Sequence, residues 1–377
     1  MPHVLMSCST VAAGTGMMAA VTPLVRALAE RGLGVTIAGP IGAGEAAVAV
    51  ADAVGTNVRP HGPWTGCGRS LAEFRAALAD VKQASRDDSR SFVHVHGVWT
   101  AANLAACWAC QSRGLRYAVS PHGMLMPEAL RRGERKKRVA VCLAVRRNLE
   151  RADVVHVTSE AEAHSVHAVA PRSRVCVVPW GVEMCNETSG DAAVRRCGPR
   201  QALFLGRLLP LKGVDDLVDA WAIAKPSNWK LRFVGADPEG HSAALRHRIN
   251  AAGLGATAFV ESPVDGAEVR RLLKSVDLLV LPSHSENFAL VVAEALASGL
   301  PVITTTATPW YELNARGCGW SVSPTVPALV EALHDACGRS MQDLAEMGGI
   351  GSMWMREAFG WDSIADRFIT DIYGLRL

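Results

Sequence analysis

The sequence predicts an α/β protein with two parallel-sheet domains, on three observations. Short apolar runs recur at residues 4–7, 35–38, 92–95, 116–119 and 154–157, and again at 202–205, 231–234, 258–260, 278–281 and 302–304. Several are apolar at consecutive positions, as strands covered on both faces are. Between them lie helical patterns such as 18–31, 71–81, 214–223 and 268–273, and strands alternating with helices call for parallel sheets. The alternation breaks once, at 183–201, a polar stretch with two glycines and a proline. That break divides the chain into an N-terminal domain at 1–182, a linker at 183–200 and a C-terminal domain at 201–360. Residues 361–377 are expected to form a closing helix that packs back on the first domain.

Length and composition agree. A chain of 377 residues exceeds what one hydrophobic core normally organises, and 49% apolar with 20% charged residues marks a folded chain. A net charge of +3 does not by itself imply nucleic acid. Residues 1–25 lack charge, but they also lack the basic start of a signal peptide, and Gly14, Gly16 and Pro23 interrupt them. No uncharged apolar run reaches the roughly 18 residues of a membrane span. The expected location is cytoplasmic, peripheral at the inner face of the plasma membrane. Of ten cysteines only Cys107 and Cys110 form a C-x-x-C, and no second pair at zinc spacing follows, so they read as small hydrophobes.

In open parallel sheets, ligands sit beyond the carboxyl ends of strands, so the loops there carry the candidate sites. Gly14-Thr15-Gly16 follows the first strand and opens a helix, where backbone N–H groups can approach a phosphate. A nicotinamide fingerprint would want an acid ending the second strand, and none occurs before Glu45. A bare glycine turn and a phosphate- or substrate-facing loop remain as alternatives. In "LFLGRLLPLKGVDDLV", Arg207 and Lys212 stand between a strand and a helix with glycine beside each, a cationic pair suited to a polyanion.

The third candidate is "SHSENFALVVAEALASGLPVIT", apolar apart from Glu286 and Glu294. On one continuous helix, residues eight apart would stand about 12 Å apart and about 80° around the axis. With Glu286 in a loop and Glu294 on a helix starting near Phe288, a helix N-terminus lies between two hydroxyl-binding acids. That combination fits a sugar nucleotide. Charged clusters for a metal are missing, no D-x-D occurs, and no metal or cofactor is expected. Elsewhere, His94 and His96 alternate on one strand; His96 is read as an acceptor-side residue, with Trp99, and His94 as structural. Six of the eight residues 131–138 are basic and Arg146, Arg147 and Arg151 extend the set, either a solvated face or an interfacial helix drawn to anionic lipid or a polyprenyl diphosphate.

"GRLLPLKG" and "SENFALVVAEALASGLPVIT" resemble the two signature segments of family 4 of the retaining glycosyltransferases, enzymes of the GT-B fold with two Rossmann-like domains facing a cleft. "VHVHGVW", "SPHGMLMPEAL" and "TPWYELNARGCGWSV" resemble segments of the branch that builds bacterial exopolysaccharides, so the likeness covers most of the chain. The resemblance implies that Arg207 and Lys212 bind the donor diphosphate, Glu286 the transferred sugar and Glu294 the ribose. Amides of Asn287, Phe288, Ala289 and Leu290 would line the sugar and phosphate. His122 would lie near the reacting carbon, and Gly14, Thr15 and Gly16 would face the donor. The implied activity is metal-independent hexosyl transfer from a GDP- or UDP-sugar to a saccharide or polyprenyl-diphosphate-linked acceptor. A sugar-nucleotide epimerase and a non-catalytic sugar-nucleotide-binding partner are the rival readings. Two departures stand out. Ala289 replaces the usual glycine, and alanine resists positive φ. Glu128 and Ser321 stand where the branch often has tryptophan, which bears on the acceptor.

Overall fold

A computed structural model of the chain describes residues 2–9, 16–40, 57–61, 69–87, 91–131, 137, 141–184, 198–264 and 266–375. They form two compact units, Met1–Gly181 with Trp361–Leu377 and Val182–Gly360. Most of the linker and of the basic run 131–138 lies outside the described residues, as do Gly14 and Thr15.

The first unit holds β1 (His3–Cys8), β2 (Gly34–Pro40), β3 (Asn57–His61), β4 (Phe92–His96), β5 (Tyr117–Ser120), β6 (Val154–Val157) and β7 (Val175–Val177). They pair in the order β3-β2-β1-β4-β5-β6-β7, all parallel. The second unit holds β8 (Arg200–Leu205), β9 (Trp229–Val234), β10 (Ala258–Glu261), β11 (Leu278–Leu281), β12 (Val302–Thr305) and β13 (Gly319–Val322). Their order is β10-β9-β8-β11-β12-β13, again all parallel. In each sheet the order reverses beside the first strand, between β1 and β4 and between β8 and β11. Loops leaving such neighbours diverge to opposite faces and open a crevice at their carboxyl ends.

All ten predicted strands are present. Three more, β3, β7 and β13, were not predicted, and each is an edge strand. A central strand is buried on both faces and reads as an apolar run. β3 instead reads Asn-Val-Arg-Pro-His, with proline tolerated because an edge leaves N–H groups unpaired. The predicted helices are found at Gly16–Glu30, Arg69–Asp87, Val214–Ala224 and Gly266–Leu273. The apolar C-x-x-C segment is the helix Ala101–Arg113. Thr100 caps its start by accepting from the Asn103 N–H, and Gly114 at φ 65° ends it. Both cysteines are buried, and burial raises both thiols.

The closing segment belongs to the first unit. Its helix Trp361–Arg367 is followed by a wider turn, Phe368–Ile372, whose Phe368, Ile369 and Ile372 are buried. Arg31 ties the helix down through Asp366 at 2.6 Å and the Asp362 carbonyl at 2.7 Å. Among the described residues no helix is long and apolar enough to cross a membrane.

Candidate active site

In the second unit the crevice lies between the loops that follow β8 and β11. The first loop runs through Arg207, turns at Pro210–Lys212 and enters the helix Val214–Ala224 at Gly213. Gly213 has φ 70°, and a Cβ there would stand 2.0 Å from the Pro282 carbonyl oxygen. Glycine is therefore required twice, by the left-handed backbone and by close approach of the second loop. The His284 N–H donates to the Leu211 carbonyl at 2.9 Å, and His284 Nε2 meets Asp216 Oδ2 at 2.8 Å. Two segments some seventy positions apart are thus bound side by side.

Their contact puts Lys212 Nζ 2.5 Å from Glu286 Oε1, with both side chains largely buried. Ser283 Oγ donates to the same oxygen at 2.8 Å, and the Glu286 N–H donates to the Ala307 carbonyl at 3.2 Å. Two of the residues singled out from sequence are therefore direct partners. Arg207 is exposed and has no ion pair among the described residues. Lys212 lies beside a carboxylate, while Arg207 faces solvent.

The helix Leu290–Ala297 starts two residues later than expected, and Ala289 is its N-terminal flanking residue at φ 57°, ψ 64°. Alanine adopts the left-handed conformation in spite of its Cβ, at a cost of roughly 1–2 kcal/mol. What holds it there is the packing on either side. Phe288 is buried against Trp310, and the Phe288 carbonyl accepts from Trp310 Nε1 at 2.6 Å. The Val292 N–H returns to the Ala289 carbonyl at 2.9 Å. No side chain caps this helix, and helix-start N–H groups without an intrahelical partner can take an anion. The Asn287 Oδ1 atom beside it is buried with no hydrogen-bond partner.

Glu294 is half-buried on the second turn of this helix. Burial pushes its carboxyl up to about 7; Glu183 adds to the rise and Arg270 opposes it. Those two neighbours form an ion pair at 2.8 Å.

In the first unit the equivalent crevice lies at the ends of β1, β4 and β5. Gly16 begins the first long helix, and the rest of that glycine loop lies outside the described residues. His96 ends β4 and is fully buried, so its ring does not reach solvent. It meets His122 instead, Nδ1 to Nε2 at 3.0 Å. His122, half-buried, sits at φ 53° and stacks on Trp180 with planes 7° apart. Trp99 packs on the core of this unit with Lys137 over its ring.

A residue missed in the sequence holds the His122 turn. Glu162 is buried on the helix Glu160–Val169 and accepts the Gly123 N–H at 2.6 Å and the Thr158 N–H at 2.9 Å. Its signal was present in Ser159-x-x-Glu162, a helix-start pattern. The Glu162 N–H does donate to Ser159 Oγ, but the carboxylate serves a loop thirty-nine positions away.

His94, behind this crevice, belongs to a directional chain. The Val178 carbonyl can only accept, so His156 Nε2, 2.8 Å away, carries the proton and its Nδ1 is an acceptor. Ser120 Oγ then donates to His156 Nδ1 at 2.6 Å and accepts from His94 Nε2 at 2.7 Å. His94 Nδ1 in turn accepts from Tyr373 Oη at 3.1 Å. One orientation satisfies every member, provided both rings are neutral. Burial holds them so, driving His94 well below its usual value and His156 down to about 4. The chain binds three central strands to the closing segment.

Known proteins resemble the chain along its whole length. The family model described as "Glycosyl transferases group 1" matches residues 191–343, and that described as "Glycosyl transferase 4-like domain" matches 15–181. A D-inositol 3-phosphate glycosyltransferase of Geodermatophilus obscurus is 30% identical over 94% of this chain and 83% of its own. Among solved structures, HepE of Anabaena in complex with UDP-glucose superposes with a TM-score of 0.80 at 18% identity, covering 99% of this chain and 100% of that one. The sucrose-phosphate synthase of Thermosynechococcus elongatus does so at 0.76 and 20%, covering 99% and 98%. The two parallel sheets, the paired loops after β8 and β11 and the full-length relative converge: the chain belongs to the family 4 glycosyltransferases of the GT-B fold.

Proposed function

We propose that this glycosyltransferase is a retaining, metal-independent hexosyltransferase that uses a nucleotide sugar. The observation that carries the reading is the Lys212–Glu286 pair beside an uncapped helix start. A cation, a hydroxyl-binding acid and free N–H groups meet at one crevice, and a sugar diphosphate needs all three. On donor binding Lys212 turns from Glu286 to the diphosphate, with Arg207 as the second cation. Glu286, released, accepts from the sugar hydroxyls, and Glu294 holds the ribose. Amides of Asn287, Phe288, Ala289 and Leu290 line the phosphate and sugar. His122 stands near the anomeric carbon.

Bond breaking leaves charge on the departing diphosphate, and fixed cations stabilise it most where it develops. The acceptor hydroxyl attacks on the face the diphosphate leaves, so the anomeric configuration is kept. Arg207 and Lys212 take the role a metal would otherwise have. Activity is expected to survive a chelator; loss restored by Mg²⁺ or Mn²⁺ would overturn this.

UDP-sugars are the donors to try first, followed by GDP-sugars, since the similar HepE is described with UDP-glucose. The acceptor is a saccharide, lipid-linked, in bacterial exopolysaccharide or cell-surface glycan synthesis at the inner face of the plasma membrane. A second acceptor, a cyclitol phosphate, is favoured by the name of the 30% identical relative. Thermal-shift screening of the purified chain against UDP-, GDP- and ADP-sugars tests the donor. A binder raises the melting temperature by mass action, and the absence of a shift with every sugar nucleotide would sink the reading. Product analysis with the binding donor then decides between the two acceptors.

A further inference from the structure

His96 and His122 face each other at 3.0 Å, and between them one proton must be placed. Neither ring is charged: burial is the main cause for both, and neighbouring histidines add to it. One nitrogen of the pair therefore donates and the other accepts.

The remaining nitrogen of His96 decides which. His96 Nε2 is buried and has no hydrogen-bond partner. Were Nδ1 the acceptor, the His96 proton would sit on Nε2, a buried N–H without an acceptor. Orphaned buried N–H groups are the rarer defect; an unserved lone pair is better tolerated. The proton therefore sits on His96 Nδ1 and is donated to His122 Nε2. A neutral His122 must then carry its own proton on Nδ1.

The backbone around both rings prevents an easy escape. The His96 carbonyl accepts from Ser9 N–H, Ser9 Oγ at 2.8 Å and Asn103 Nδ2 at 3.1 Å. Gly97 follows at φ 102°, where a Cβ would stand 2.1 Å from Ser9 Oγ. On the other side, His122 sits in the left-handed region with the next N–H bound to Glu162. Left-handed non-glycine residues persist only where the surroundings over-determine them.

We infer that His96 is a positioning residue which locks His122 in the Nδ1–H tautomer, so that His122 presents a hydrogen-bond donor to an oxygen of a ligand at the ends of β1, β4 and β5. The inference deepens the proposed role of His122 and rests on that reading for its functional half. It also explains why a fully buried histidine ends β4: an apolar residue could fill the space but could not set a tautomer.

Long-range ¹H–¹⁵N spectra of protein labelled at histidine read the tautomer directly, with His122→Gln identifying the signals. The parent is expected to show His122 protonated at Nδ1. In His96→Asn the amide N–H can stand where Nδ1 stood, and the tautomer should be retained. In His96→Phe it should revert to Nε2–H, and kcat should fall roughly 10- to 100-fold with KM changed far less. His122 protonated at Nε2 in the parent overturns the inference, as does a folded His96→Phe with parental tautomer or parental kcat. The spectra need no substrate, so they stand apart from the donor assignment. A parent with the expected tautomer that binds no sugar nucleotide would refute the proposed function and not the His96–His122 arrangement.

Discussion

The two units share one topology and build their crevices from opposite materials. In the second unit acids and bases are paired: Lys212 against Glu286 at the β8/β11 crevice, and Glu183 against Arg270 beside Glu294. At the β1/β4/β5 crevice they are neutral: His94, His96, His122 and His156 with Ser120, Tyr373 and Trp180. A charged crevice can exchange its internal ion pairs for a ligand's charges. A neutral one cannot, but it can hold hydrogen-bond directions fixed. Under the proposed function, the second unit would stabilise charge and the first would orient.

The comparison is broken most sharply at Lys212. Lys212→Ala removes a donor to the developing charge and leaves Glu286 without its cation. Turnover is expected to fall about 100-fold or more. Steady-state kinetics at saturating donor check this, and parental turnover would remove Lys212 from the chemistry.

Acid should separate the units next. The buried histidines are held below the ordinary value of about 6.5. Below that pH the unfolded chain binds protons that the folded chain refuses. Their contribution is fully present above about 6.5 and is lost as pH falls toward the folded values. The first unit is expected to lose urea resistance between pH 7 and pH 5, seen by hydrogen exchange at β4, β5 and β6. An unchanged midpoint there would mean that the rings are not held neutral.

Glu294 carries the opposite sign. Its carboxyl is raised, so the folded state holds a proton that the unfolded state has released, and that stability is lost as pH rises toward about 7. Ribose binding by the ionised form should strengthen over the same interval. Titration calorimetry with the donor's nucleoside diphosphate should show affinity rising from pH 6 to pH 8, relative to Glu294→Gln. Parallel pH profiles for the two proteins would exclude Glu294 from the ribose.

The smallest effect is expected at Ala289. Glycine relieves a left-handed alanine but gives the unfolded chain more freedom, and the two terms oppose each other at about 1 kcal/mol each. Ala289→Gly should shift the melting temperature by no more than about 3 °C, since 1 kcal/mol moves a domain of this size by roughly 2–4 °C. Donor affinity should change little because the backbone already has the glycine conformation. A large loss of binding would show that the methyl itself shapes the pocket.

Much of this was legible in the residues. Central strands are buried on both faces and announce themselves as apolar runs. β3 is polar and β7 and β13 are short, which is why they escaped, whereas the edge strand β10 still showed an apolar run. The loop positions of Lys212, Glu286 and His122 were legible because glycine, proline and polar residues mark loops at strand ends. Ala289 could be flagged as a departure, but whether alanine would bend to φ 57° could not be read from its neighbours. That depended on Phe288 and Trp310, twenty-two positions apart.

The sequence by itself determined the alternation of strands and helices, the break between units and the charged and glycine-bearing loops. These follow from local steric preference and from the burial each strand requires. The tertiary structure alone decided which of those residues touch. Lys212 meets Glu286 across seventy-four positions, Glu162 meets Gly123 across thirty-nine and His94 meets Tyr373 across 279. Such pairings carry no local signal, because a hydrogen bond between distant residues leaves no period and no turn preference in either segment. They exist because parallel sheets bring the ends of sequence-distant strands together, and unpaired polar groups buried there must find one another.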